Sequence, residues 1–238
     1  MLEANNIIVP NLENKEIHLW WMNCASFSPS EEAWQLLDAC EQKRALKFKR
    51  SCDRDRYILV RSILRRLVAT YLEIPPHQVE FCYGEKGKPI LHALTDDESL
   101  EFNVSHSHQM ALWGFSRQQA LGVDVEYIKP NHRGLSIAKR FFTTLEYQAL
   151  CEKSEVEQRE FFFQLWTRKE SCIKARGDSL FEKIGQLEVP AQDCCVEDWR
   201  SLSQEEMYVR DVVLHPDYKA SIASFNGHAP LSCFEWRT

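Results

Sequence analysis

Two acidic residues, two positions apart, could bind a cation. Residues 121–128 alternate apolar and acidic side chains, a pattern typical of a half-buried strand. Asp124 and Glu126 would share one face, roughly 6–7 Å apart at the rise of a strand, while Val123 and Val125 face the core. Because two carboxylates on one face repel each other, a cation or solvent must separate them. A solvated acidic strand face is the simpler interpretation.

A helix predicted over residues 161–175 offers a third carboxylate and an ammonium group. The stretch contains no Gly or Pro, and Gly177 is a plausible end for it. Trp166, Glu170 and Lys174 recur every four residues and therefore share one face. If Glu170 joins the two strand carboxylates, the oxygen-only cluster suits Mg²⁺, which takes further ligands from water and a substrate phosphate. The alternative is an ordinary surface ion pair beside a core stripe.

The composition excludes several classes of protein. The 238 residues are 44% hydrophobic and 27% charged, with a net charge of −6, which argues against bulk nucleic-acid binding. The sequence has no apolar run of membrane-spanning length and no secretory signal, so we expect no membrane association. Its nine cysteines include no Cys-x-x-Cys pair, which favours reduced thiols and a cytoplasmic location.

A basic segment lies in the N-terminal part of this acidic chain. Residues 43–66 contain ten Lys and Arg residues and two Asp residues, which indicates a local positive field suited to a polyphosphate or an acidic partner. Much of the segment falls in an amphipathic helix predicted over 55–72, ahead of Pro75. A solvated helix face explains most of these charges equally well.

The order of helix-like and strand-like segments along the chain predicts an α+β protein of one or two domains. We expect a helix over 33–38 capped by Ser28 or Ser30, a second over 135–140, and a third capped by Thr143 or Thr144. Strands are predicted over 16–21, 101–105, 110–115, 186–189, 207–210, 212–215 and 218–225.

The acidic strand and the helix together resemble a known signature. The motif Gly122-Val-Asp124-Val-Glu126, followed by Trp166-x-x-Lys169-Glu170-Ser-x-x-Lys174, closely resembles that of the 4′-phosphopantetheinyl transferases. The larger, surfactin-synthetase-activating (Sfp) type fits best. Further matches lie at Gly87-Lys88-Pro89, at 102–107 and at 137–147, in the same order along the chain.

The resemblance implies a fold of two similar α+β halves related by a pseudo-two-fold, with the active site in the cleft between them. We therefore divide the chain into residues 1–118, with contacts to the coenzyme nucleotide, and residues 119–238, with the metal site and catalytic helix. The pattern of the sequence itself is compatible with this division.

The resemblance also implies Mg²⁺-dependent transfer of 4′-phosphopantetheine from coenzyme A to a serine of an apo acyl or peptidyl carrier protein, releasing adenosine 3′,5′-bisphosphate. The chain would act as a monomer. Asp124, Glu126 and Glu170 would hold Mg²⁺, and Lys174 would place a positive charge where the leaving group develops. Glu170, Glu146 or a metal-bound water would take the serine proton, and the sequence does not choose among them.

The same resemblance assigns coenzyme contacts to Arg61, Lys88, Ser105, His106 and Lys174. Local explanations exist for some of these candidates. Ser105 could bond nearby backbone, as serine does in turns, and Glu146 would be favoured in the first turn of a helix by the helix dipole alone.

Two other functions remain compatible with these residues. A different Mg²⁺-dependent phosphoryl or nucleotidyl transferase could use three carboxylates and a lysine, although no Walker loop or kinase-like glycine loop occurs. A non-catalytic module could dock acidic domains or nucleic acid through residues 43–66, but it would have no use for a carboxylate cluster.

Overall fold

The protein is an α+β structure, as predicted. The computed structural model describes residues 9–83, 89–91, 99–130, 134–177, 184–191, 200–202 and 205–237. Its helices are α1 (Glu31–Gln35), α2 (Ala39–Ala45), α3 (Ser51–Tyr71), α4 (Gly134–Phe141), α5 (Thr144–Cys151) and α6 (Glu155–Arg176). Its strands are β1 (Ile17–Asn23), β2 (Phe81–Tyr83), β3 (Pro89–Leu91), β4 (Leu100–Ser107), β5 (Met110–Arg117), β6 (Leu121–Tyr127), β7 (Arg200–Leu202), β8 (Glu205–Val212), β9 (Tyr218–Ser224) and β10 (Leu231–Glu235).

The first sheet has the order β10-β1-β5-β4 and packs against α3. Strand β5 runs antiparallel to both β1 and β4. Leu64 and Leu67 of α3 are buried in one cluster with Trp113 and Phe115 of β5. The apolar stripe of the amphipathic helix therefore forms the core of this layer, as its sequence period predicts.

The second sheet has the order β6-β9-β8-β7, and α6 lies across it. A capping box at Ser154 and Glu157 begins α6, and Gly177 ends it in the left-handed conformation with φ 71°. Phe162 and Leu165 of α6 share a buried cluster with Met207 of β8. Local caps thus set the ends of the helix, and its aromatic stripe sets the face that it buries.

A third buried cluster joins the two sheets. It contains Leu19 and Leu112 from the first sheet and Val123 and Ile222 from the second. The division predicted at residues 118 and 119 falls between β5 and β6. The C-terminal strand β10 lies across that division, because it pairs in parallel with β1 of the first sheet.

Several local predictions are confirmed, and two of the predicted strands are wrong. Ser30 caps α1 and Thr143 caps α5. Residues 186–189 form no strand, because charged side chains occupy their polar backbone groups: Lys169 donates to the Leu187 carbonyl, and Glu146 accepts from the Val189 N–H.

The second incorrect strand is the one predicted over 212–215. Strand β8 continues only to Val212, and the following residues are irregular.

Among the helices in the described part of the chain, none has the length and apolarity needed to cross a bilayer.

Candidate active site

Helix α6 lies unusually close to β6 because residue 122 is glycine. A Cβ atom placed on Gly122 would lie 1.9 Å from the Ser171 carbonyl oxygen and 2.4 Å from the Ala175 backbone nitrogen, so no other residue fits. The helix backbone can therefore rest on the strand. This approach brings Glu170 and Lys174 of α6 beside the acidic residues of β6.

The three predicted metal ligands lie together. One carboxylate oxygen from each of Asp124, Glu126 and Glu170 lies within 4.8 Å of the others. Asp124 is only 2% exposed, and its Oδ2 atom has no hydrogen-bond partner among the described residues. A buried carboxylate oxygen without a donor is costly. Together with the oxygen-only ligands, this orphaned atom fits a hard cation such as Mg²⁺.

Lys174 is hydrogen-bonded to the other carboxylate oxygen of Asp124. Its Nζ donates to Asp124 Oδ1 at 2.7 Å, to Ser105 Oγ at 3.1 Å and to the Val123 carbonyl at 3.2 Å. Glu170 Oε2, one helical turn away, lies 3.9 Å from Nζ. The cluster therefore contains one ammonium group inside a set of three carboxylates, and it retains an oxygen that can face a metal.

The acidic groups perturb one another. Burial, followed by the Asp124 charge, raises the pKa of Glu170 to about 8, although Lys174 and the Trp166 side chain oppose the shift. Burial also raises the pKa of Glu126. For Lys174 the largest effect is burial, which lowers its pKa, but Asp124 and Glu170 together hold that pKa above its ordinary value. The raised pKa values mean that these carboxyl groups resist being ionised together. A bound cation would stabilise their ionised forms.

The open edge of β6 is closed by side chains rather than by another strand. Strand β6 is at the edge of its sheet, so N–H groups along its free side need other acceptors. Alternate residues of β4 supply them. The side-chain oxygens of Asn103, Ser105 and Ser107 accept, at 3.1, 3.4 and 3.2 Å, from the backbone N–H groups of Val123, Val125 and Tyr127. We call these three contacts the β4–β6 joint.

Both serines of the β4–β6 joint also donate to a carboxylate. The Ser105 hydroxyl donates to Asp124 Oδ1 at 2.7 Å, and the Ser107 hydroxyl donates to Glu126 Oε2 at 2.5 Å. The first sheet therefore helps to hold two candidate metal ligands of the second sheet. Ser105, predicted as a coenzyme contact, is 7% exposed in this position.

His106 lies between the two serines on β4 and is exposed to solvent. Partial desolvation, then the charges of Arg56 and Lys174, lower the pKa of its imidazole, which favours the neutral ring at pH 7. Arg56 of α3 also donates to the His108 carbonyl at 2.8 Å, in the turn that follows β4. Lys88, another predicted coenzyme contact, lies outside the described residues.

Arg61 lies in a buried network of charges. Its side chain is paired with Glu41 of α2, which also accepts from Arg65 at 2.8 Å, and its guanidinium is 4.7 Å from the centre of the Phe81 ring. Glu41 is 1% and Arg61 is 7% exposed. These contacts fasten α2 to α3, and they place little of the Arg61 side chain at the surface.

Glu146 is fully buried, and its carboxylate is bonded to a lysine side chain and to two backbone N–H groups. Its carboxylate lies 2.8 Å from Lys169 Nζ and accepts from the N–H groups of Thr143 at 2.8 Å and Val189 at 2.9 Å. Lys169 Nζ donates in turn to the carbonyl of Ile184 at 2.9 Å. The pair therefore ties the start of α5 and the 184–189 segment to α6, one residue before Glu170.

Comparison with known proteins agrees with these motifs. A family model described as the 4′-phosphopantetheinyl transferase superfamily matches residues 120–225, and one described as the N-terminal part of a 4′-phosphopantetheinyl transferase matches residues 25–114. The 4′-phosphopantetheinyl transferase HetI of a Nostoc species is 36% identical over 183 residues, which are 76% of this chain and 77% of HetI. The chain belongs to the 4′-phosphopantetheinyl transferase superfamily.

Other members of the superfamily show the same relationship. The 4′-phosphopantetheinyl transferase Sfp of Bacillus subtilis is 30% identical over 191 residues, 80% of this chain and 83% of Sfp. The mouse L-aminoadipate-semialdehyde dehydrogenase-phosphopantetheinyl transferase is also 30% identical, over 76% of this chain and 62% of its own length. The predicted Sfp type is thereby confirmed, and so is a transferase of this class.

Four residues of this phosphopantetheinyl transferase receive no role in the site from the sequence alone. Asn103, Gly122 and Lys169 stand there only as letters of motifs, and Ser107 is expected, like Ser105, to bond local backbone. Alternation of polar residues at 103, 105 and 107 was the available signal, since period two places them on one face of β4. Nothing in the sequence shows that this face meets the free edge of another sheet.

Proposed function

We propose that the protein transfers the 4′-phosphopantetheine group of coenzyme A to a serine hydroxyl of an apo acyl or peptidyl carrier protein, with Mg²⁺ as cofactor. The observation that carries the proposal is the buried, unpartnered Oδ2 atom of Asp124, which lies with the Glu126 and Glu170 carboxylates and beside Lys174 in a chain of this superfamily. A docking module would gain nothing from so costly an arrangement.

Asp124, Glu126 and Glu170 are the proposed metal ligands. When bound, Mg²⁺ supplies Lewis-acid neutralisation of a diphosphate. Val125, between the two strand acids, is 1% exposed and belongs to the apolar cluster that joins the sheets, so it offers the metal no ligand. The remaining coordination positions therefore belong to water and substrate, which is the usual pattern for Mg²⁺.

Lys174 is the proposed electrostatic catalyst. In the reaction, the serine oxygen forms a bond to the phosphorus of the pantetheine phosphate, the pyrophosphate P–O bond breaks, and adenosine 3′,5′-bisphosphate leaves with the bonding electron pair. The negative charge on the leaving phosphate grows during this step. An ammonium group held by Asp124 and Ser105 is already oriented, so it can stabilise that charge without reorganising.

For the serine proton, the proposal favours Glu170 over Glu146. Glu170 lies in the acidic cluster and is only half-buried, so a substrate hydroxyl could approach its carboxylate. All the described partners of Glu146 are structural, and its carboxylate is fully buried. We therefore assign Glu146 to the support of α6 instead of to proton transfer.

At the nucleotide end of coenzyme A, the proposal keeps His106 as a phosphate contact and Lys88 as a contact with the nucleotide. His106 is exposed and lies near enough to Lys174 and Asp124 for their charges to shift its pKa, and a neutral imidazole can still donate one hydrogen bond. Arg61 and Ser105 are both buried and engaged with neighbouring side chains. We therefore assign both of them to positioning rather than to direct contact.

The test is an intact-mass measurement on an apo carrier protein. The carrier is incubated with the protein, coenzyme A and Mg²⁺, and a parallel sample contains EDTA. A mass gain of one phosphopantetheine group, absent with EDTA, is the expected result. If several apo carriers gain no mass and the protein binds no coenzyme A, the proposal is wrong and docking through the basic segment becomes the better explanation.

A further inference from the structure

Ser107 is bonded in two directions at once. Its Oγ accepts from the Tyr127 N–H at 3.2 Å and donates its proton to Glu126 Oε2 at 2.5 Å. A hydroxyl group has one proton and two lone pairs, so it can serve both partners. The side chain thus connects the backbone of β6 to the acidic side chain one residue earlier.

The hydrogen bond from Ser107 restrains the Glu126 side chain. A glutamate side chain has several rotatable bonds, and fixing them costs free energy that a metal would otherwise supply on binding. Asp124 needs less restraint, because its side chain is shorter and Lys174 and Ser105 both bond its Oδ1. Glu126 is only half-buried, and its carboxylate is repelled by that of Asp124. A fixed donor on the opposite strand offsets that repulsion.

Asn103 provides an internal comparison. It lies on the same face of β4, four residues earlier, and its Oδ1 accepts from the Val123 N–H at 3.1 Å. The β6 residue that corresponds to Glu126 at this position is Gly122, which has no side chain to hold. Asn103 and Ser107 therefore share the task of closing the edge of β6, and only Ser107 also holds a carboxylate.

We propose that Ser107 is a positioning residue of the metal site, which holds Glu126 in place from the opposite sheet, whereas Asn103 only joins the two sheets. The inference rests on the proposed function, because it takes Asp124, Glu126 and Glu170 as metal ligands. It adds a residue of the first sheet to a metal site whose ligands all lie in the second half of the chain. Within the β4–β6 joint, the Ser107 contact is then the one that links sheet packing to the position of Glu126.

The experiment compares Ser107→Ala, Ser107→Thr and Asn103→Ala with the wild type. Mn²⁺ replaces Mg²⁺ as a spectroscopic probe, and free Mn²⁺ is titrated by electron paramagnetic resonance in the presence of coenzyme A. We expect Ser107→Ala to weaken Mn²⁺ binding roughly tenfold, the scale of losses on removing such outer partners of metal ligands. Ser107→Thr keeps the hydroxyl and should restore binding. Asn103→Ala should bind Mn²⁺ as the wild type does.

Thermal melts in EDTA separate positioning from simple destabilisation. Ser107→Ala and Asn103→Ala each leave one β6 N–H without its acceptor, so we expect similar falls in melting temperature. If both variants weaken Mn²⁺ binding alike, or if neither does, the inference is wrong. A wild type that binds Mn²⁺ but modifies no carrier would overturn the proposed function and leave the role of Ser107 intact. Active transfer with unchanged metal affinity in Ser107→Ala would overturn only the inference.

Discussion

The carbonyl oxygen of Ser171 lies where a Cβ atom on Gly122 would have to be, since the two would be 1.9 Å apart. This single close approach decides how far α6 lies from β6. Because Glu170 immediately precedes Ser171 and Asp124 lies two residues after Gly122, this approach also sets the spacing between Asp124 on β6 and Glu170 on α6.

Gly122→Ala should therefore separate the strand from the helix. The obstructing atoms belong to helix backbone, so α6 must shift as a whole. We expect a loss of about 1–3 kcal/mol of stability from overpacking and a fall in transfer rate of up to ~100-fold from misplaced groups. Gly185→Ala is the control, because its nearest neighbour would lie at an ordinary 3.9 Å. An active Gly122→Ala variant would show that the close approach is not required.

Lys174→Met should separate catalysis from metal binding. Loss of a pre-oriented cation is expected to lower the transfer rate by roughly 10²–10³-fold. Removal of a positive charge from a cation site should not weaken Mn²⁺ binding, measured by electron paramagnetic resonance. Arg237→Met is the control, since the Arg237 side chain lies beyond β10, is exposed, pairs with Glu235, and should leave the rate near wild type. An unchanged transfer rate in Lys174→Met would mean that Lys174 forms an ordinary ion pair and does not take part in the reaction.

The Glu146–Lys169 pair should affect folding more than chemistry. Both side chains are fully buried, so Glu146→Gln or Lys169→Met alone leaves a buried charge without its partner and should cost about 3–5 kcal/mol. The double variant should lose less than the sum of the single losses. Urea unfolding measures these energies, and the rate per folded molecule should be unchanged. A stable Glu146→Gln variant with a collapsed rate would instead make Glu146 catalytic.

The apo protein should lose stability as the pH rises past the ordinary range of a carboxyl group. The Glu170 pKa is raised from its ordinary value of 4.5 to about 8, so the folded state binds this proton more tightly than the unfolded state. Between these two pKa values the folded state holds the extra proton, and stability falls with increasing pH.

Thermal melts in EDTA at pH 5.5 and pH 8.5 test this linkage. Glu170→Gln should melt above the wild type at pH 8.5, with a smaller difference at pH 5.5. Excess Mg²⁺ should raise the melting temperature of the wild type more than that of Glu170→Gln, because the metal compensates the ionised carboxylate. Equal pH dependence of the two proteins in EDTA would contradict the raised pKa.

Local sequence patterns predicted the pieces of the site well. Period four on α6 and period two on β6 depend only on backbone geometry, so Glu170 and Lys174 could be placed on one face, and Asp124 and Glu126 on another, without tertiary information. Caps at Ser30, Thr143 and Gly177 were readable for the same reason. Two tail strands were misread. At 186–189 the deciding contacts come from Glu146 and Lys169, far away in sequence.

The sequence by itself determined the family, the α+β class and the acidic and basic residues that share each face, because motifs and periodicity are local properties. Only the tertiary structure decided the tasks of individual side chains. It joins β10 to β1, sets Ser105 and Ser107 against Asp124 and Glu126, and surrounds Glu146 and Arg61 with buried partners. Such assignments depend on which donors and acceptors long-range packing brings together, and no spacing along the chain encodes them.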